Sequence, residues 1–106
     1  MGLTQTKKLF FEIRHNCSVI VSIHAFKDYP ARGFSQQELV RLVKNGNGRF
    51  AENDSDVAIE GSYLFFPKDD EGKECKLVLL IQEVEIEGEG NSRKEAVIVC
   101  SAYREI

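Results

Sequence analysis

The stretch Phe34-Ser35-Gln36-Gln37-Glu38-Leu39 contains the clearest helix signal in the chain. Ser35 is a favourable N-cap because its hydroxyl can accept a hydrogen bond from the backbone N–H of Glu38. The Glu38 side chain is spaced to reach back to Ser35, which completes a capping box, and Phe34 and Leu39 occupy the two positions of a hydrophobic staple. The stretch therefore predicts the start of a helix at Ser35.

The residues that follow predict how this helix packs and where it ends. Leu39, Leu42 and Val43 fall on one helical face, so that face is expected to be buried. Asn45-Gly46 is a C-terminal stop signal. The helix is therefore predicted to be amphipathic and to end at Gly46.

A shorter helix is predicted just upstream. Residues 24–29 can form one or two helical turns. Pro30 ends them because the residue before a proline is disfavoured in the α region. Gly33 follows as a predicted positive-φ residue, which turns the chain towards the capped helix.

The N-terminal segment has the pattern of a β-hairpin. Apolar side chains alternate at Leu9, Phe11 and Ile13, which is typical of a half-buried strand over residues 8–14. Residues 17–22 are rich in β-branched side chains and are predicted to pair back on that strand.

Beyond Gly46 the sequence predicts loops and strands only. Residues 47–56 are polar and favour a loop, and residues 67–73 are predicted to form a hairpin loop. The predicted strands are residues 57–60, 62–66, 75–87 and 95–103. The order indicates an α+β fold: a short N-terminal β-hairpin, two short helices, and a mainly antiparallel sheet of about three to four strands with the helices on one face.

Length and composition predict one domain that spans residues 1–106, with 42% apolar and 29% charged residues. The apolar runs are too short for a membrane span and the N-terminus lacks a signal peptide, so no membrane partner is expected. Three cysteines without a secretory signal favour free thiols and a cytoplasmic location. Their spacing matches no metal pattern, and neither a metal nor a cofactor is expected.

Charge is distributed unevenly along the chain, whose net charge is −3. Residues 1–53 carry eight Lys and Arg against four acids, a balance of +4, whereas residues 54–106 carry six against thirteen, a balance of −7. A basic half of this kind is typical of a surface that faces a polyanion, and it is equally compatible with two solvated surfaces of unlike sign.

Four elements lie along the two predicted helices and the loop between them: His24-Ala25, Arg32-Gly33-Phe34-Ser35, Glu38 and Asn45-Gly46. Together they resemble the pattern of small BECR-superfamily proteins (barnase, EndoU, colicin and RelE-like). The nearest resemblance is to uncharacterised domains near BrnT-type toxins. Residues 99–104 are also similar to the final strand of BrnT-like toxins. This resemblance implies a single RelE/BrnT-like α+β domain.

The resemblance implies a metal-independent ribonuclease toxin or a degenerate relative, with RNA as substrate and a protein antitoxin as partner. In such a site His24 would be the titrating group and Arg32 would grip phosphate. Tyr103 and Arg104 would supply a proton donor and a second cation. The predicted substrate-binding residues are Lys27, Arg41 and Lys44.

Structural roles fit several of these residues as well. His24 could be a structural histidine hydrogen-bonded to the backbone, and Arg32 could hold the loop between the two helices in place. Tyr103 could be a core residue. A further hypothesis concerns aromatic side chains on which RNA bases could stack. These side chains are Tyr63, Phe65 and Phe66.

The alternative function belongs to a different class. The chain would be a catalytically inert protein-binding module, either an immunity or a regulatory protein. Its acidic face would be formed by Glu83, Glu85 and Glu87. The net negative charge favours this hypothesis.

Overall fold

The computed structural model describes residues 2–22, 33–54, 61–85 and 93–104. These residues form two helices and five strands: α1 (Leu3–Ile13), β1 (Ser18–Val21), α2 (Gln36–Asn45), β2 (Gly48–Glu52), β3 (Tyr63–Pro67), β4 (Cys75–Glu85) and β5 (Arg93–Arg104). The predicted α+β class is therefore confirmed. The predicted helix over residues 24–29 and the predicted strand over residues 57–60 lie outside the described residues.

The five strands form one mixed sheet with the order β1-β5-β4-β3-β2. β1 runs parallel to β5, with Val19 opposite Val97. The other neighbouring pairs are antiparallel. The antiparallel meander expected after α2 is present, but the described sheet has one strand more than the upper estimate, and its first pair is parallel.

The predicted N-terminal hairpin is wrong. Residues 8–13 belong to α1 and Arg14 follows the helix, so residues 8–14 do not form a strand. Apolar side chains in this segment fit a helical period as well as an alternating one. The side of α1 that faces the sheet has a residue every three or four positions, namely Leu3, Thr6, Phe10 and Ile13. Thr6 and Phe10 are buried. The helical period prevails because it lets Phe10 reach the sheet.

β1 and β2 also differ from the sequence prediction. Ser18–Val21 is a strand as expected, but it pairs with β5 and not with the preceding segment. The loop predicted over residues 47–56 contains β2, which pairs with β3. Only Phe50 is buried in this edge strand, so the segment has no alternating pattern by which it could be recognised.

The later predictions agree with the structure. The strand predicted over residues 62–66 corresponds to β3, and the described part of the one predicted over residues 75–87 corresponds to β4; a turn at residues 69–72 joins them. Leu77, Val78 and Leu79 are all buried, as a strand covered on both faces requires. β5 extends the predicted strand by two residues at its start and one at its end.

Both helices pack on one face of the sheet, which we call the helix face. The Phe10 ring of α1 lies 5.1 Å from the Phe50 ring and 4.9 Å from the Phe65 ring. From α2 the core receives Leu39, Leu42 and Val43. Side chains alternate along a strand, so Phe66 lies on the opposite side of the sheet, which we call the far face.

Arg14 follows α1 and joins the two helices. Its side chain is buried, with 6% exposed, against the rings of Phe10 and Phe65, whose centroids lie 5.5 and 5.4 Å from the guanidinium carbon. It donates hydrogen bonds to the carbonyls of Lys44 (2.9 Å) and Gly46 (2.5 Å) at the C-terminus of α2. A positive charge at this end of a helix is favourable because the last carbonyls carry partial negative charge.

Within the described residues, neither helix is long and apolar enough to cross a membrane.

Replacing Arg14 by Met is expected to lower the free energy of unfolding by about 2–4 kcal/mol, because two partly buried carbonyls lose a charged donor. Arg14→Lys should lose less, since it keeps the charge but not the planar pair of donors. Urea denaturation followed by circular dichroism measures both. The exposed Lys8→Met change in α1 is the control, and equal effects of Arg14→Met and Lys8→Met would contradict the role of Arg14.

Candidate functional site

The N-terminus of α2 is capped as predicted on one side only. The Ser35 hydroxyl accepts a hydrogen bond from the Glu38 backbone N–H at 3.0 Å. The Glu38 carboxylate takes a different partner from the one predicted: it accepts from Nη2 of Arg104 at 2.5 Å. The capping box is thus replaced by an ion pair between α2 and the end of β5.

Arg104 ties three segments of the chain together. Its Nη1 donates to Oδ2 of Asp69 at 2.8 Å, and its Nη2 also donates to the Gly33 carbonyl at 2.8 Å. The guanidinium carbon lies 4.2 Å from the centroid of the Phe34 ring. Gly33 has φ of 80°, as the sequence predicts, and its lack of a Cβ helps the Arg104 side chain to lie close.

The surroundings of Arg104 are acidic. The open cavity at this point has a volume of about 370 Å³ and is lined by Glu38, Asp69, Asp70, Glu71, Lys73 and Arg104. Its four carboxylates face Lys73, Arg104 and, at the edge of the cavity, Arg41, so one negative charge is in excess among the described residues. The guanidinium that the resemblance assigns to phosphate therefore already binds two carboxylates.

Asp69 organises the turn between β3 and β4. Its Oδ1 accepts the backbone N–H groups of Glu71 and Lys73, each at 2.9 Å. The hydrogen bond from Lys73, followed by that from Glu71 and the charge of Arg104, holds the pKa of Asp69 below its usual value. Asp69 is thus a charged anchor for Arg104.

The cysteines behave as buried apolar side chains. Cys17, Cys75 and Cys100 are all free and buried, as the sequence predicts. Burial raises the pKa of the Cys75 thiol, and the nearby Asp69 carboxylate adds to this shift. Burial also raises the pKa of Cys100. The thiols of Cys75 and Cys100 are therefore protonated and unreactive near neutral pH.

Tyr103 and Arg104 lie on opposite faces of the sheet. Arg104 is opposite Cys75 on the helix face, whereas Tyr103 is opposite Lys76 on the far face. Tyr103 is 38% exposed, so the alternative of a core position is wrong. The structure does not bring these two predicted site residues into one cleft.

The remaining predicted site residues have separate fates. Arg41 pairs with Asp70 at 3.0 Å beside the acidic cavity. Lys44 lies in the last turn of α2, half-buried, and its carbonyl accepts from Arg14. His24, Lys27 and Arg32 lie outside the described residues.

The acidic face predicted from Glu83, Glu85 and Glu87 is only partly within the described residues. Glu83 and Glu85 lie in β4, of which only the backbone is described there, and Glu87 lies outside the described residues. In the described part, no group of three His, Cys, Asp or Glu side chains is arranged to hold a metal ion.

The predicted base-stacking residues are not available in the way expected. Phe65 is fully buried in the core, and Tyr63 stacks on Phe50 with ring centroids 5.3 Å apart. Phe66 faces the far side but is only 8% exposed, because the Arg49 guanidinium covers it at 4.0 Å. Stacking on Phe65 is therefore excluded.

A row of alternating cations and aromatic rings crosses the far face. Arg49 is opposite Phe66, and Lys76 is opposite Tyr103 with its Nζ 5.5 Å from the ring centroid. The register of β3 and β4 places Phe66 beside Lys76. We call Arg49, Phe66, Lys76 and Tyr103 the far-face row.

Two members of the far-face row are not among the residues that the sequence singles out. Arg49 falls in the loop predicted over residues 47–56, and Lys76 falls in the strand predicted over residues 75–87. The alternation of basic and apolar residues in Arg49-Phe50 and Lys76-Leu77 indicates that both cations face outward, but only strand pairing shows that they face the same way.

The chain matches no protein-family model, no curated protein and no solved structure. The resemblance to the BECR superfamily stays a prediction, and the function rests on the geometry of the chain itself.

Acid is expected to remove the stabilisation that Asp69 provides. Because the folded-state pKa of Asp69 is below its usual value of 3.8, its charged form stabilises the folded protein above that pH. This contribution should fade as the pH falls from 3.8 towards the folded-state value. Asp69→Asn should therefore be less stable than wild type at pH 6, and the gap should shrink below pH 4 (about the usual carboxyl pKa).

Thermal unfolding across that pH range measures the effect. The exposed Asp54→Asn change is the matched control and should follow wild type throughout. A gap between Asp69→Asn and wild type that stays constant with pH would show that the lost stability does not depend on the charge of Asp69.

Proposed function

We propose that this protein is a degenerate relative of RelE/BrnT-like ribonucleases that binds RNA without cleaving it. The far-face row carries the proposal, because it places two cations and the exposed Tyr103 on the same face of the sheet. Cations that bind phosphate and rings that stack on bases are the two elements of RNA recognition by a sheet. The row contains Tyr103, one of the residues to which the resemblance points.

The environment of Arg104 supports binding without cleavage. A ribonuclease needs a cation that is free to stabilise the charge of the reacting phosphate. Arg104 instead holds Glu38 and Asp69, and the cavity around it would repel a phosphate. Tyr103 is separated from Arg104 by the sheet, so the two cannot act on the same phosphate.

A combined binding and cleavage assay tests this proposal. Fluorescence anisotropy with a labelled single-stranded RNA should report binding that weakens as salt is added. Gel analysis of the same mixture should show intact RNA after prolonged incubation. Cells that express wild type and His24→Ala should grow equally well on induction.

Two results would count against it. RNA fragments that appear with wild type but not with His24→Ala would mean that the protein is an active ribonuclease. Absence of RNA binding at low salt, with the protein shown to be folded by circular dichroism, would remove RNA as the partner.

One observation favours the alternative, a catalytically inert protein-binding module. The surplus of carboxylates in the cavity beside Arg104 is complementary to a basic segment of another protein. If this alternative holds, a lysine-rich peptide should bind wild type, and Asp70→Lys should abolish that binding. RNA binding would then be absent, so the same two titrations separate the hypotheses.

A further inference from the structure

The far-face row is one straight line of side chains across four strands. Arg49 lies on β2, Phe66 on β3, Lys76 on β4 and Tyr103 on β5, each opposite its neighbour. Adjacent strands lie about 4.8 Å apart, so the row spans about 14 Å. This length accommodates several nucleotides of an extended strand.

The two aromatic rings of the row are not equivalent. Phe66 is 8% exposed and lies beneath the guanidinium of Arg49, so its ring supports a cation. Tyr103 is 38% exposed, and the Nζ of Lys76 lies 5.5 Å from its ring centroid. Tyr103 is therefore the more exposed of the two aromatic residues in the row.

The charges beside the row favour a polyanion on this face. Lys68 lies opposite Glu74 in a backbone β-bridge next to the row. Lys68 is two residues from Phe66 and Glu74 is two residues from Lys76, so both side chains lie on the far face. Glu74 lies 3.7 Å from Arg49 and offsets its charge, which leaves the charges of Lys68 and Lys76. Among the described residues, this end of the far face carries Arg49, Lys68 and Lys76 against Glu74, whereas carboxylates outnumber cations in the lining of the helix-face cavity.

We infer that Tyr103 is a base-stacking site that makes the far face selective for single-stranded nucleic acid; this inference rests on the proposed RNA binding. A base can stack on Tyr103 only when its own face is open, which is true of an unpaired strand and not of a duplex. Lys76 binds the phosphate next to the stacked base, and Lys68 and Arg49 bind phosphates farther along the row.

Binding of matched oligonucleotides tests the inference. The probes are a labelled 12-nucleotide RNA of mixed sequence (about the length of one sheet-type site), its duplex form, and the single-stranded DNA of the same sequence. Wild type should bind the single strands more tightly than the duplex. Tyr103→Ala should weaken binding of the single strands by about tenfold and leave the duplex unchanged.

Two further variants separate stacking from charge and from misfolding. Tyr103→Phe keeps the ring and should bind like wild type, whatever the effect of Tyr103→Ala on stability. Lys76→Gln should weaken both forms and make the slope of log K against log salt less negative by about 0.7, the amount for one phosphate contact. Lys8→Gln, a matched loss of charge on the exposed side of α1, should change neither.

Each unfavourable outcome points to a different failure. If RNA binds and Tyr103→Ala has no effect, or if the duplex binds as tightly as the single strand, the stacking site is wrong while RNA binding stands. If single-stranded DNA binds far more tightly than RNA and depends on Tyr103, the stacking site is right and RNA is the wrong ligand. If no oligonucleotide binds, both proposals fail.

Discussion

The fold depends on a buried charge, the guanidinium of Arg14. It lies among aromatic rings of α1 and β3 and has no carboxylate partner among the described residues, so its hydrogen bonds go to the last carbonyls of α2. A buried cation is costly unless such partners are present, and the helix terminus supplies both acceptors and a favourable dipole. Arg14 thereby fixes the C-terminus of α2 against α1 and the sheet.

A second arginine holds the other end of α2 and divides the surface. Arg104 binds Glu38 in the first turn of α2 and Asp69 in the β3–β4 turn, so β5, α2 and the hairpin meet at one point. This meeting point gathers carboxylates on the helix face. The cations of β2 and β4 are left on the far face, beside Tyr103. At this end of the sheet the described residues thus place the carboxylates around Arg104 on the helix face and Arg49, Lys76 and Tyr103 on the far face, which is the basis of the proposed function.

The elements that the sequence predicts correctly are those whose stabilising interactions lie close together along the chain. The helix at Ser35 was predictable because its cap and its apolar face lie within a few residues of each other. β3 and β4 were predictable because their buried residues form continuous apolar runs. Residues 8–14 were misassigned because their apolar positions fit two periods, and only the position of Phe10 against Phe50 and Phe65 selects the helix.

By itself the sequence determined the class of the fold, the bounds of α2, the turn at Gly33 and the burial of the cysteines, because local propensity and hydrophobicity decide these features. The tertiary structure alone decided which charges meet. Glu38 finds Arg104 across 66 residues, and Tyr103 is directed away from Arg104 by the alternation of a strand. The predicted site treated Tyr103 and Arg104 as one group because they are adjacent in sequence, whereas the pleat of β5 places them on opposite sides of the sheet.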